Sequence, residues 1–167
     1  MNSTPANVAN HSNDESTTSP ATMQLVSFGV GDCVLGVEIE HVQEINRQLE
    51  LTPVPGAPDS IRGVINLRGD VVTVLDLHRL LGLPATEPTR TSRNLVLKIN
   101  GERVGVMVDN VSDILAISPE AISRRPPNLS QVDRRYIRGV HIRDEAVVVI
   151  LDPHALASTM ESASSPT

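Results

Sequence analysis

The chain is built twice. Residues 61–80 align with residues 137–156 without a gap, and ten of the twenty positions are identical. Ile61-Arg62-Gly63-Val64 returns unchanged as Ile137-Arg138-Gly139-Val140. Val71/Val147, Val72/Val148, Leu75/Leu151, Asp76/Asp152 and His78/His154 also agree. Upstream, residues 25–45 align with 95–114 once Leu35 is skipped. This matches Gly31/Gly101, Gly36/Gly105, Val42/Val111 and Ile45/Ile114, with Glu44 facing Asp113. Two copies of a long repeat do not make a solenoid. They predict two related small units packed on each other.

Each copy reads as β. Short Val/Ile/Leu runs at 25–30, 34–39, 61–67 and 71–75 recur at 95–99, 104–108, 137–142 and 146–151, separated by turn signals. Gly31-Asp32 and Asn100-Gly101 fall at hairpin turns that need positive φ. Closed barrels are the expected solution, because closure removes exposed strand edges. Residues 71–75 are apolar at both parities, so both faces of that strand need cover: the barrel interior on one side, the sister barrel or a helix on the other. The repeats do not say whether the barrels are consecutive or exchange strands. The expected organisation is a disordered tail over 1–22, a domain over 23–158 with halves at about 24–82 and 94–157, and a disordered tail over 159–167.

Composition removes several function classes. The net charge is −6, which gives no bulk attraction to nucleic acid or anionic lipid. Phe28 and Tyr136 are the only aromatic residues of the Phe/Trp/Tyr set, too few for base-stacking platforms. An oligonucleotide-binding barrel would share the β content but wants basic grooves and aromatics. Cys33 is the one cysteine, which fits a reducing compartment. The N-terminal residues lack the basic start and apolar run of a signal peptide, and no run of 18 apolar residues occurs.

Chemistry-bearing motifs are sparse. Asp76-x-His78 and Asp152-x-His154 resemble metal or acid/base pairs, yet each Asp ends a strand before a short helical run. Helix N-capping explains it, and Pro153 suits a first helical position. Cys33 lies in a strand-like run with no His at a recognisable spacing, so a small buried side chain is expected. No phosphate loop or dinucleotide fingerprint is present. A small hydrolase would need a clustered acid/base set, so no enzyme, cofactor or metal is expected.

Interaction surfaces remain. Arg68-Gly69-Asp70 falls at a turn between strands, where Gly69 and Asp70 supply turn chemistry. Arg68 has no counterpart in the second copy, where Asp144 stands. Val42 and Ile45 are three apart and would share a face if that segment turns helically.

The runs Val42-Gln43-Glu44-Ile45, Thr52-Pro53, Ile61-Arg62-Gly63-Val64-Ile65-Asn66-Leu67-Arg68-Gly69 and Val74-Leu75-Asp76-Leu77 resemble the CheW family of bacterial chemotaxis coupling proteins. Residues 105–114 are similar to that family's second half, and the resemblance covers about residues 24–157. It implies two packed five-stranded SH3-like β-barrels with short helices. It also implies a non-enzymatic, cytoplasmic adaptor between chemoreceptor (methyl-accepting chemotaxis protein) tips and a CheA-type histidine kinase, whose regulatory domain has the same fold. Such arrays lie under the inner membrane, which the adaptor meets only through receptors. The output is flagellar chemotaxis or another pathway such as pilus motility. Position by position, the resemblance assigns receptor binding to Val42, Glu44, Ile45, Gly63 and Arg68, and signalling to Ile114. It puts a kinase-ring contact near Asn128 and Leu129, where family members often carry an apolar aromatic and this chain has Pro126-Pro127-Asn128-Leu129.

Overall fold

In the computed structural model the described residues are 22–47, 50–124 and 134–164, with side chains through 160. Among the described residues ten strands form two five-stranded sheets. They are β1 (Met23–Val30), β2 (Cys33–Glu38), β3 (Val42–Arg47), β4 (Ile61–Leu67), β5 (Asp70–Asp76), β6 (Arg93–Ile99), β7 (Glu102–Val108), β8 (Asn110–Ile117), β9 (Ile137–Arg143) and β10 (Ala146–Leu151). Helix α1 (Leu77–Leu80) follows β5 and α2 (Pro153–Ser164) follows β10. The eight expected strands are present; β3 and β8 are the two that apolar runs did not reveal.

The two halves exchange strands. One sheet runs β8-β1-β2-β10-β9 and the other β3-β6-β7-β5-β4. Each sheet therefore takes its first hairpin from one half and its remaining three strands from the other. The halves meet twice in each sheet: in parallel at β2–β10 and β5–β7, and antiparallel at β1–β8 and β3–β6. The correspondence needs no skipped residue. Val30 pairs with Cys33 around one hairpin and Ile99 with Glu102 around the other, a constant offset of 69 that continues to Val42/Val111. Leu25 thus matches Asn94, not Leu95, and the skip at Leu35 is corrected.

The ladders are not closed barrels. In each sheet the two edge strands lack a ladder between them, and the chain leaving an edge strand crosses the gap. Thr52, past β3, exchanges two backbone hydrogen bonds with Val64 of β4 (2.8 and 2.9 Å). Ser123, past β8, does the same with Val140 of β9 (both 2.8 Å). These crossings explain the repeated Ile-Arg-Gly-Val. A Cβ on Gly63 would lie 2.5 Å from the Thr52 carbonyl oxygen, and one on Gly139 2.7 Å from the Ser123 carbonyl oxygen. Only glycine lets the crossing segment approach so closely. The Arg of each copy, Arg62 or Arg138, is the residue left out of register by a bulge.

The largest core cluster draws from both sheets: Val26, Phe28, Val30 and Leu35 meet Leu95, Leu97, Ile99 and Val104, with Leu77 and Leu156 from the helices and Leu81 just past α1. Two smaller clusters belong to one sheet each, one around Leu25, Leu115 and Ile150 and one around Ile65, Val72 and Val96. The double apolar parity of β5 follows, since Leu75 belongs to the shared core while Val72 and Val74 belong to the smaller cluster. Val71, at the strand tip, departs from the expectation of full cover and is 71% exposed. Asp76 caps α1, accepting from the His78 N–H at 3.0 Å, and Asp152 accepts likewise from the His154 N–H. Residues 159–164, expected as a disordered tail, instead continue α2, whereas Asn128, Leu129 and residues 1–21 and 165–167 of the expected tails lie outside the described residues.

Candidate functional site

Strands β3 and β8 are edges of different sheets, and together they wall an open groove of about 440 Å³. Val42, Glu44 and Ile45 come from β3; Val111, Asp113 and Ile114 come from β8; Val26 is part of the floor. The segment with Val42 is thus a strand, so the helical turn that would have put Val42 and Ile45 on one face is not formed. In a regular strand, residues three apart point to opposite faces. A bulge at Gln43 resets the alternation: Val42 pairs with Leu97 and Ile45 with Leu95, and both partners face the shared core. Val42 and Ile45 therefore share a face through a bulged strand. The same bulge occurs in β8, where Val111 pairs with Phe28 and Ile114 with Val26. Apolar side chains of both edge strands thus extend the shared core to the surface. Ile45 is 43% exposed and Ile114 59% exposed.

Arg68, on the β4–β5 turn, meets Glu44 of β3 and lines a neighbouring hollow with Glu50, Thr52, Asn66 and Gly69. Its Nη1 donates to Glu44 Oε2 at 2.9 Å, and Asn46 Nδ2 donates to Glu44 Oε1 at 2.8 Å. The Asn46 hydrogen bond, then that of Arg68, hold the Glu44 carboxyl below its usual range. Arg68 itself remains 77% exposed. Its backbone is unusual: φ is 51° at Arg68 and 90° at Gly69, the pair of positive values of a type I′ turn. Asn66 Oδ1 accepts from the Gly69 N–H, and Arg103 pairs with Asp70 at 2.7 Å, so the turn is held firmly. Asn, Asp or Gly is the favoured residue at the Arg68 position; the equivalent Asp144, φ 56°, conforms. Arg68 is costly to the backbone, and an exposed ion pair returns at most about 1 kcal/mol. Local folding alone does not account for Arg68.

Of the expected site residues, Val42, Glu44, Ile45 and Ile114 line one groove, and Arg68 joins it through Glu44. Gly63 does not. It is buried beneath Thr52 with φ 153°, so it shapes the strand and offers no surface to a partner. Val111 and Asp113 were missed as site residues, although Val42/Val111 and Glu44/Asp113 are matched by the repeat.

Other chemistry-bearing groups are engaged. His78 is buried, with Nδ1 3.6 Å from Asp76 Oδ1 and Nε2 3.1 Å from the Thr86 hydroxyl and 3.5 Å from Asp109 Oδ1. Both ring nitrogens thus have protein partners. Cys33 is half-buried, and burial followed by the neighbouring Asp32 pushes its thiol pKa up, which disfavours the nucleophilic thiolate. Glu38, Glu40 and His41 gather on the surface, with the Glu38 carboxylate held by Arg138. Among the described residues no helix is long and apolar enough to cross a membrane.

The sequence matches the CheW-like domain over residues 24–161. It is 35% identical over 139 residues to the probable chemotaxis protein CheW of Rhizobium etli, covering 83% of this chain and 90% of that protein. It is 41% identical over 117 residues to the chemotaxis protein CheW of Rhizobium meliloti, covering 70% and 76%. The crystal structure of the scaffolding protein TtCheW from Thermoanaerobacter tengcongensis superposes with a TM-score of 0.74 at 27% identity, covering 81% of this chain and 87% of that one. The duplicated, strand-exchanged pair of five-stranded sheets and these matches agree: the chain belongs to the CheW-like domain family.

Proposed function

We propose that this protein is a non-enzymatic chemosensory adaptor that couples chemoreceptor tips to a CheA-type histidine kinase, in the cytoplasm beneath the receptor-bearing membrane. The observation that carries the reading is the groove between β3 and β8, with apolar side chains on both walls, beside which Arg68 pairs with Glu44 of β3. A receptor's cytoplasmic helices present an amphipathic surface. Val42, Ile45, Val111 and Ile114 would cover its apolar stripe, and Arg68 would pair with a carboxylate on its flank. Burying the exposed parts of Ile45 and Ile114 would supply about 1 kcal/mol each.

An adaptor needs a second surface. On the β9–β10 ladder Ile142 and Val147 face each other across the strands and are 65% and 44% exposed. This pair lies on the sheet whose edge gap Ser123 bridges by pairing with Val140. We assign the kinase contact to this end. Coupling then requires only that the two contacts differ in strength between signalling states, with no bond chemistry.

Arg68→Glu tests the groove. It places a second carboxylate beside Glu44 and removes the cation there. Co-sedimentation with receptor-containing membranes should fall about tenfold or more, and receptor-dependent kinase activation should fall with it, while circular dichroism reports a folded protein. Unchanged co-sedimentation would remove Arg68 from the site.

A further inference from the structure

From Leu25 to Val30 the interior strand β1 carries one polar side chain, Ser27, and it is only 3% exposed. A buried hydroxyl destabilises the fold unless it is hydrogen-bonded. Ser27 Oγ donates to the Asp113 carbonyl oxygen at 2.9 Å and accepts from the Asp113 N–H at 3.0 Å. Both bonds go to the backbone of one residue on the facing strand.

Asp113 stands in the β8 bulge, where three steps from Val111 to Ile114 oppose two steps from Phe28 to Val26. A bulge breaks the ladder and leaves backbone groups without strand partners. The Ser27 hydroxyl serves both groups of Asp113. What the bulge achieves is the shared face of Val111 and Ile114; with regular alternation one of them would leave the groove. Strand β3 reaches the same shape differently. Val96 stands opposite its Glu44, with no hydroxyl to offer, and the Glu44 side chain is held from outside by Arg68 and Asn46.

We propose that Ser27 is a positioning residue for receptor binding: its hydroxyl locks the β8 bulge and so sets the Val111–Ile114 wall of the groove. The inference rests on the receptor-groove reading above. Ser27 touches no partner and acts through Ile114.

The test uses the full chain, membranes carrying a chemoreceptor, and a purified CheA-type kinase. Ser27→Ala should remain folded, weaken receptor binding roughly fivefold, and leave kinase binding within about twofold. Ile114→Ala should cost less in the Ser27→Ala background than in the wild type, since the wall is already displaced. Hydrogen exchange at the Asp113 amide should quicken in Ser27→Ala, and Ser27→Thr, which keeps the hydroxyl, should restore slow exchange and binding. Unchanged receptor affinity in Ser27→Ala overturns the proposal. So does an equal loss toward both partners, which would mark Ser27 as a stabiliser only. If Ser27→Ala does not fold, Ser27→Cys is measured the same way; failure of both to fold assigns Ser27 to the framework and likewise overturns the proposal. A wild-type protein that ignores receptor membranes would instead contradict the groove reading itself.

Discussion

The two sheets share one plan and end differently. At the hairpin end of the sheet holding β4 and β5 stand Asn66, Arg68, Asp70 and Arg103, joined by the Arg68–Glu44 and Arg103–Asp70 pairs. At the equivalent end of the other sheet stand Ile142, Asp144, Ala146 and Val34, with Ile142 facing Val147 across the ladder. The framework between these ends is the same in both: bulged edge strand, crossing segment, glycine beneath it, capped helix. Duplication thus supplies a rigid body, and divergence at the tips supplies two chemically distinct surfaces. A protein that holds two partners in register needs this combination, since one tip pattern used twice would not distinguish them.

The framework half of the comparison carries the largest effect. Gly63→Ala should destabilise by about 3 kcal/mol, from the clash with Thr52 and the positive φ together, and Gly139→Ala by about 2 kcal/mol from the clash with Ile122 and Ser123 alone. Urea unfolding of both variants checks this. A neutral effect at either glycine would mean that the crossings are not equivalent. The surface half predicts a crossed pattern. Ile45→Ala and Ile114→Ala should each weaken receptor binding about fivefold and spare kinase binding, while Ile142→Asn should do the reverse. Titration of each variant against both partners measures it, and parallel losses would erase the distinction between the ends. The smallest effect concerns pH. The folded-state Glu44 carboxyl is lowered relative to the unfolded chain, so its contribution is present above the ordinary carboxylate range and lost as pH falls through the folded-state value. For a pair rimmed by solvent this amounts to at most about 1 kcal/mol. Between about pH 6 and pH 8 this group should leave stability and receptor binding flat, and Glu44→Gln should remove an acid-side decline seen in thermal melts.

Much of this was legible in the chain itself. Ten identities in twenty positions exposed the duplication, and four residues named by the resemblance, Val42, Glu44, Ile45 and Ile114, line one groove. What stayed hidden has physical causes. Strands β3 and β8 carry exposed polar residues and a bulge each, so neither shows the alternation by which strands are recognised. Strand exchange is invisible because the same repeat folds either way. Ser27 reads as a polar blemish in an apolar run until its partner, 86 residues away, is in place. Gly63 looked like a contact and proved to be the floor under Thr52, a role set by a segment that pairs with it only in three dimensions.

The central claim is that Arg68 is kept for a partner against the preference of its own turn. Arg68→Asn separates the two. Asn-Gly is the favoured type I′ pair, and the variant should gain a few tenths to about 1 kcal/mol of stability. Measured on one preparation, its melting temperature should hold or rise, its kinase affinity should stay level, and its affinity for receptor-containing membranes should drop about tenfold. Undiminished receptor affinity in that more stable protein would contradict the account.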